Sequence, residues 1–209
     1  MATKPVESIT IAAPNLQTMD IKIVGTAPFV QHRFSKKTAT EMLNKHIEGT
    51  TNKSKKHDKR DIEQDYKDAT HIGEDGKYGI PAPAFRSAMI SACRVAGYQM
   101  TKAKLSVFVL ADSIDEEDGS PLVHIQGEPE LHKSAVRLSS GVASIAIRPM
   151  WRRWSAVVRV RWDADQFTQT DVLNLMARAG VQVGIGEGRP DSKKSNGMGW
   201  GTFELDMEE

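Results

Sequence analysis

Near the end of the chain, six glycines lie within eighteen residues: Gly184, Gly186, Gly188, Gly197, Gly199 and Gly201. Glycine lets a backbone amide approach a ligand and adopts conformations that are closed to other residues. Arg189, Lys193 and Lys194 lie in the same stretch, so amides and cations together predict a phosphate-binding loop, with Gly186 and Gly188 among its contacts. The P-loop spacing GxxxxGK[ST] is absent, and the position of the stretch between a helix and a strand excludes a dinucleotide fingerprint. The alternative is a flexible β-turn with incidental lysines.

Arginines and tryptophans interleave between positions 148 and 162. A guanidinium or an indole can stack on a base while the charge meets a phosphate, so this pattern is typical of contacts with a single strand. Alternation along a strand predicts that Trp162 is buried, and Trp151 is a second core candidate. The predicted exposed contacts are Arg148, Arg152, Arg153 and Trp154.

Four of the six histidines lie in or beside a polar, lysine-rich stretch at 31–78: His32, His46, His57 and His71. A histidine can act as a general base near pH 7. The spacing identifies no second residue that would assist it, and the HExxH, GxSxG and metal-ligand patterns are absent. We therefore predict a protein without a catalytic site, a metal or another cofactor. The alternative is a metal-independent endoribonuclease that uses His46 and His57.

The formal net charge of +1 conceals a strong segregation of charge along the chain. Residues 33–60 hold nine basic side chains against three acids, and residues 137–161 hold six arginines and no acid. Residues 111–130 hold seven acids and no lysine or arginine. Faces of opposite sign favour binding of a polyanion or head-to-tail stacking of copies, although any single run also fits a solvated surface. In the first basic run, the predicted polyanion contacts are Arg33, Lys53, Lys55 and Lys56.

Two amphipathic helices are predicted. The first has an apolar stripe, begins near Pro83, ends before Gly97 and carries Arg86, a further candidate contact, on its opposite side. The members of its stripe are Phe85, Ala88, Met89, Ala92, Cys93 and Ala96. The second helix begins at Thr168, which pairs with the acid three residues later as a cap, and ends at Gly180.

Strand patterns surround these helices. Apolar alternation predicts strands near 20–24, 105–109, 122–125, 155–162 and 200–205, and a strand or hairpin arm at 134–147. The length of 209 residues fits one domain, in which 31–78 is an inserted excursion without a core pattern. The order of elements predicts an α+β fold with a ferredoxin-like (RRM-type) βαββαβ core and a large insertion after the first strand.

The cysteine content and the hydropathy of the sequence indicate the cellular compartment in which the protein is expected. Cys93 is the only cysteine, which excludes an internal disulfide framework and predicts a reducing compartment. No apolar run approaches the roughly 20 residues that a membrane helix needs, and the first fifteen residues lack the apolar centre of a signal peptide. We therefore expect a cytoplasmic protein that does not contact membranes.

Three segments resemble the RAMP superfamily (repeat-associated mysterious proteins), the backbone and RNA-processing subunits of CRISPR systems. They are the opening strand IKIVGTAPF, the segment YGIPAPAFRSAMISACR, which is similar to the superfamily's iPgsslrGalR helix entry, and the glycine-rich GIGEGRP…GMGWGTFEL. The resemblance implies an RRM-like core whose sheet and glycine loop bind single-stranded RNA, with 31–78 as a finger-like or thumb-like projection. Some members cut bound RNA through an acidic residue in a projecting loop, where Asp58, Asp61 and Asp65 lie here.

Together, the residues and the resemblance predict that 1–209 is a single domain that binds single-stranded nucleic acid, foremost a guide RNA. It would be a non-catalytic backbone subunit of a multimeric CRISPR-type ribonucleoprotein in antiviral defence. The expected partners are single-stranded RNA or DNA, further copies in an oligomer or filament, and other effector subunits. Two alternatives stay open: a self-assembling structural protein of viral type, and the endoribonuclease described above.

Overall fold

A computed structural model of the chain describes residues 11–33, 60–137, 143–192 and 197–206, together with isolated positions at 40, 43, 44, 46, 47 and 141. Within these ranges the protein is a mixed α+β structure with antiparallel sheets and four helices, which confirms the predicted class. No helix in the described ranges is both long and apolar enough to cross a lipid bilayer. The excursion predicted at 31–78 is described only in part.

The chain contains the predicted strands and both predicted helices, together with several short elements that the sequence pattern did not predict. In order they are β1 (Leu16–Gly25), β2 (Phe29–Val30), α1 (Ile62–Asp68), β3 (Gly79–Pro81), α2 (Ala82–Ala96), α3 (Met100–Ser106), β4 (Val107–Leu110), β5 (Ser113–Ile114), β6 (Pro121–Gln126), β7 (Glu130–Arg137), β8 (Ala143–Trp151), β9 (Ser155–Asp163), α4 (Gln169–Arg178) and β10 (Phe203–Leu205). The strand predicted from Leu105 begins two residues later, because Ala103 and Ser106 bury one face of α3. The last strand likewise begins at Phe203 rather than at Trp200.

The main sheet contains seven strands, and every pairing in it is antiparallel. The strand order is β10-β1-β9-β6-β3, while β4 also pairs with β9 and β5 pairs with β6. β1 and β9 form the longest ladder of this sheet, from Leu16 opposite Asp163 to Val24 opposite Ser155. These two strands are therefore the centre of the sheet.

The alternation predicted for β9 is confirmed. Its buried residues are Ala156, Val158, Val160 and Trp162, and the residues between them are exposed. Side chains along a strand point to opposite faces in turn, so one face of the sheet packs on the core and the other is open. In β1, Ile21 and Ile23 are buried in the same way. Helices α2 and α4 contribute their buried stripes to this core.

Both predicted helices form. Pro83 lies in the first turn of α2, and Gly97 ends the helix with a φ of 71°, a left-handed conformation that glycine adopts without strain. The predicted cap of α4 is present as a capping box, in which Thr168 accepts from the N–H of Asp171 and the Asp171 carboxylate accepts from the N–H of Thr168.

Gly180 does not end the second helix, contrary to the prediction. A π-helical turn, Ala179–Val183, continues α4 through this glycine. A Cβ at position 180 would lie 2.1 Å from the carbonyl oxygen of Phe203 in β10. Glycine is therefore needed here because the helix packs closely on a strand, not because the helix stops.

The second sheet has three strands in the order β2-β8-β7. The hairpin arm predicted at 134–147 is confirmed as β7 and β8, which pair over the full length of β7. Phe29 of β2 joins this sheet to the core, since its ring lies 5.5 Å from that of Trp151 and 5.6 Å from that of Trp154. This aromatic cluster holds the hairpin against the main sheet.

Replacing the helix cap tests the predicted start of α4. Thr168→Ala removes the acceptor of the capping box and is expected to lower the free energy of unfolding by about 1 kcal/mol. Thr170→Ala, in the exposed first turn, is the control and should change it little, because alanine is a good helix former. Urea denaturation followed by circular dichroism measures both. Equal stability of the two variants would contradict the assignment of the cap.

Candidate nucleic-acid interface

An open cleft separates the glycine-rich stretch from the start of helix α2. Its volume is about 680 Å³, which falls within the range of about 300–1,000 Å³ usual for ligand sites. Residues between 183 and 192 form one wall, residues between 80 and 91 form the other, and His32 and His71 also line it. The fold thus brings together two segments that lie about a hundred residues apart in the sequence.

The positive end of a helix dipole faces this cleft. Pro81, Pro83 and Ala84 at the start of the fifteen-residue helix α2 all line it. No side chain caps the helix, and its first turn holds no acid. Pro81 and Pro83 carry no N–H, so the first amides of this helix belong to Ala82 and Ala84, and the dipole favours negative charge near them. This end of the cleft therefore suits a phosphate.

Ion pairs neutralise the two acids that line the cleft. Arg148 donates from Nε to Glu187 at 2.7 Å, and Arg94 donates from Nη2 to Asp191 at 2.5 Å. Arg189 donates only to the backbone carbonyl three residues earlier, at 3.0 Å, and forms no ion pair with any described residue. Among the described residues that line the cleft, Arg189 is therefore the arginine that a ligand can still engage.

His32 lies beside the first of these ion pairs. Its Nδ1 is 3.2 Å from Nη2 of Arg148 and 3.6 Å from the carboxylate of Glu187. Burial and the positive charge of Arg148 lower the pKa of the imidazole, and the negative charge of Glu187 opposes them only in part. The neutral ring is favoured as a result.

The glycines around the cleft are required for packing, whereas the sequence predicted that they free amides for a ligand. A Cβ at Gly186 would lie 2.5 Å from a backbone oxygen of β2, and one at Gly188 would lie 2.7 Å from a tryptophan ring. A Cβ at Gly201 would lie 1.8 Å from the carbonyl oxygen of Ile185. At Gly199 no atom lies within 4 Å of the added Cβ. The stretch therefore forms a packed wall of the cleft.

In the structure the side chain of His71 has a hydrogen-bond partner, which the spacing of residues in the sequence did not identify. Its Nδ1 lies 2.7 Å from Oδ2 of Asp115, 44 residues later. Burial favours protonation of Asp115, but hydrogen bonds from the N–H of Glu117, from His71 and from the N–H of Asp118 outweigh it and hold the pKa of this carboxyl below its ordinary value. An ionised carboxylate only accepts, so Nδ1 of His71 carries the proton of this hydrogen bond.

Arg33 was predicted to contact nucleic acid, and the structure places it inside the protein instead. It is 6% exposed. Its guanidinium donates to Asp115 at 3.4 Å, to Glu117 at 2.5 Å and to the carbonyl of Asp68 at 3.0 Å. A buried charge needs such partners. Arg33 therefore holds the acidic 111–130 segment in place.

The carboxylate of Asp115 also belongs to a group of side chains whose composition resembles that of a metal site. Ligand atoms of His71, Asp115 and Asp118 lie within 4.8 Å of one another. The Asp115 oxygens already accept from four donors, one of them the guanidinium of Arg33. A cation would have to displace these donors next to a positive charge. The donor set does not fit a metal ion, and we assign none.

Trp154 was predicted to be exposed, and this is wrong. It is 4% exposed, and its Nε1 donates to the carbonyl of Ala27 at 2.9 Å. The ring fills the space beside Gly25, where an added Cβ would lie 2.1 Å from Nε1. The predicted burial of Trp162 is confirmed, and Trp151 is buried as well.

Arg86 and Arg148 are occupied by contacts within the protein. Arg86 donates to the carbonyls of Val107, at 2.8 Å, and Lys104, and its guanidinium lies 5.2 Å from the ring centre of Phe108. It thereby ties α2 to the edge strand β4. Arg148 ties β8 to the glycine-rich stretch through the carboxylate described above. Neither arginine is free for the predicted contact with nucleic acid.

Arg152 and Arg153 lie in the turn between β8 and β9, and both are exposed as predicted. Arg152 forms an ion pair with Glu130. Arg153 forms none with any residue that the structure describes. Their contact with nucleic acid stays a prediction.

Other predicted residues lie outside the described part of the chain: Lys53, Lys55, Lys56, His57, Asp58, Lys193 and Lys194. The remaining acids of the projecting segment have local roles. Asp61 caps α1 by accepting from the N–H of Glu63 at 3.0 Å, and Asp65 pairs with Arg60.

The sequence pattern did not identify an aromatic and cationic pair on the open face of the main sheet. Phe108 on β4 lies directly opposite Arg161 on β9, while their neighbours along both strands are partly or fully buried on the core side. Arg161 forms no ion pair with a described residue, whereas Arg159 is held by Asp20 at 2.7 and 3.2 Å. The alternation that placed the valines of β4 inward is the signal that could have identified Phe108.

No protein-family model matches the chain, and no curated protein shows significant similarity to it.

Two glycine-to-alanine substitutions test whether close packing in the wall of the cleft requires glycine. Gly201→Ala is expected to lower the free energy of unfolding by more than about 2 kcal/mol, since the left-handed backbone alone costs about 1–2 kcal/mol and the Cβ would meet the oxygen of Ile185. Gly199→Ala, also left-handed but in open space, should show only the backbone cost. Thermal and urea unfolding compare them. Equal losses would contradict the packing role.

Proposed function

We propose that the protein binds single-stranded nucleic acid, foremost a guide RNA, as a non-catalytic backbone subunit of a multimeric CRISPR-type ribonucleoprotein. The observation that carries the proposal is the composition of the cleft. The uncapped start of α2 and the side chain of Arg189 both line it, and both acids that line it are neutralised by ion pairs. A chain of phosphates is the common ligand that such a surface favours.

A ferredoxin-like core is part of the proposal. Strand β1 lies between β10 and β9, and β4 pairs with β9 beside β6, on the side away from β1, which corresponds to the order expected of a βαββαβ unit. Helix α2 lies between β1 and β4 in the chain, and α4 lies between β9 and β10. The segment between β1 and α2 is then the large insertion.

The open face of the sheet supports the same function. The partly exposed ring of Phe108 lies beside the exposed guanidinium of Arg161, and the Arg86 guanidinium lies 5.2 Å from the centre of the ring. Stacking of a base on an aromatic side chain contributes about 1–3 kcal/mol and tolerates any sequence. Arg153, which is exposed and forms no ion pair with a described residue, adds a cation at the turn before β9.

Multimerisation is proposed from the distribution of charge. The acidic 111–130 segment and the arginines at 148–161 belong to the same chain. Copies aligned along one strand would place opposite charges next to each other and be favoured electrostatically.

Arg189→Ala tests the cleft as the phosphate site. We expect binding of a fluorescently labelled single strand to weaken roughly three- to tenfold, and the dependence of log Kd on log salt to fall by about 0.7, since one phosphate contact is lost. Arg178→Ala is the matched control, because this exposed arginine lines a separate pocket. Fluorescence anisotropy over a series of salt concentrations measures both variants.

Two results would contradict the proposal. One is binding that is absent or indifferent to salt in the unmodified protein. The other is an equal loss in the Arg178 and Arg189 variants. A purified assembly that carries no nucleic acid, judged by the ratio of absorbance at 260 and 280 nm, would instead support the structural protein of viral type.

The endoribonuclease stays a second candidate because of one observation, the hydrogen bond between His71 and Asp115 beside the cleft. A histidine oriented by a carboxylate is a usual general base. Gel analysis of RNA incubated with the protein tests it. Cleavage by the unmodified protein that is lost in His71→Ala would favour this candidate, and intact RNA would dismiss it.

A further inference from the structure

Two neighbouring loops are joined to each other by backbone hydrogen bonds. One is the loop 70–77 between α1 and β3, and the other is the acidic turn 112–119, which contains β5. The N–H of Glu74 donates to the carbonyl of Ile114 at 2.9 Å, and the N–H of Glu116 donates to the carbonyl of Ile72 at 3.1 Å. Displacement of one loop therefore breaks hydrogen bonds of the other.

Buried polar groups, and not large apolar side chains, fill the inside of these loops. Their buried side chains are those of Thr70, His71 and Asp115. Ile72 is only partly buried, and Ile114 is 49% exposed. Burial of apolar surface, the main stabilising term in folding, therefore contributes little here. The polar contacts determine whether the loops stay closed.

Arg33 makes buried contacts that hold both loops. Its guanidinium donates to Asp115 at 3.4 Å and to Glu117 at 2.5 Å in the acidic turn. It also donates to the carbonyl of Asp68 at 3.0 Å, and the backbone N–H of Arg33 donates to the carbonyl of Ala69 at 3.2 Å, so it binds the chain just before the loop 70–77. Asp115 in turn binds Nδ1 of His71 at 2.7 Å. One buried cation thus connects the two loops.

A second set of polar contacts between the loops and β6 lies nearer the surface. Nε2 of His124 lies 2.9 Å from the carboxylate of Asp75, and the N–H of His124 donates to Asp112 at 2.9 Å. All three side chains are partly exposed. Water screens such ion pairs, whereas removal of one partner from a buried pair leaves an uncompensated charge and is strongly destabilising. Closure of the loops therefore depends most on Arg33.

We infer that Arg33 is a buried latch that makes the loop 70–77 and the acidic turn 112–119 open and close as one cooperative unit, separately from the central strands of the main sheet. The ladder of β1 and β9 contains neither loop, so it can stay intact while they open. Because His71 lines the cleft, the latch also holds this part of the cleft wall. The inference does not depend on what the cleft binds.

Hydrogen exchange of the unmodified protein tests this cooperativity. Amide exchange would be followed by mass spectrometry at urea concentrations below the unfolding transition, with peptides that resolve the two loops and the strands β1 and β9. We expect the two loops to share one opening constant and one urea dependence, since the urea dependence reports the surface exposed on opening. Their opening constant should be at least about tenfold larger than that of β1 and β9.

Arg33→Met removes the charge and keeps an unbranched side chain. We expect exchange in both loops to rise by the same factor, roughly a hundredfold, while exchange in β1 and β9 changes less than about twofold. Arg94→Met is the matched control, because Arg94 forms an exposed ion pair, with Asp191. It should change exchange in the two loops by less than about twofold.

Several results would overturn the inference. Different opening constants or urea dependences of the two loops in the unmodified protein, or a rise confined to one loop in Arg33→Met, would show that the loops move independently. An equal rise in β1 and β9 would show that Arg33 stabilises the whole domain. An effect no larger than that of Arg94→Met would show that Arg33 is not a latch. Should Arg33→Met fail to fold, the urea series on the unmodified protein still decides.

Discussion

The close packing of the glycine-rich stretch on the segment after β1 is the contact on which the cleft depends. Backbone hydrogen bonds join Gly201 to Pro28 at 2.8 Å and Glu187 to Val30 at 2.9 Å. An added Cβ would not fit at Gly186 or Gly201. Because backbone contacts this close need glycine, the positions of these residues determine where the wall opposite helix α2 lies. The spacing of the glycines therefore determines the shape of the cleft before any ligand is considered.

Ion pairs and hydrogen bonds within the protein determine which arginine side chains remain available to bind a ligand. Arg33, Arg86 and Arg148 form the contacts that hold the acidic segment, the edge strand β4 and the glycine-rich stretch. A charge run in the sequence does not distinguish such arginines from exposed ones, since the difference lies in partners that are distant along the chain. The structure leaves Arg189 at the cleft and Arg161 on the open face of the sheet without an ion pair to any described residue. These two arginines and Arg153, in the turn before β9, are among those that a phosphate can bind without breaking an ion pair to a described residue.

The parts of the fold that could be predicted from the sequence are those fixed by local periodicity. The stripe of α2, the capping box at Thr168 and the alternation of β9 depend on residues within a few positions of one another. The parts of the site that could not be predicted depend on distant contacts. Trp154 is buried by its contact with Ala27, and His71 acquires its role only through Asp115. Neither contact leaves a periodic signal.

Photochemical crosslinking tests the central claim most directly, because it reports where a bound strand lies. A single strand of RNA with 4-thiouridine at each position would be bound to the unmodified protein, irradiated and digested, and the linked peptides identified by mass spectrometry. We expect the crosslinks to concentrate on the two walls of the cleft, within 80–91 and 183–192. Crosslinks confined to other surfaces, with both walls unlabelled, would contradict it.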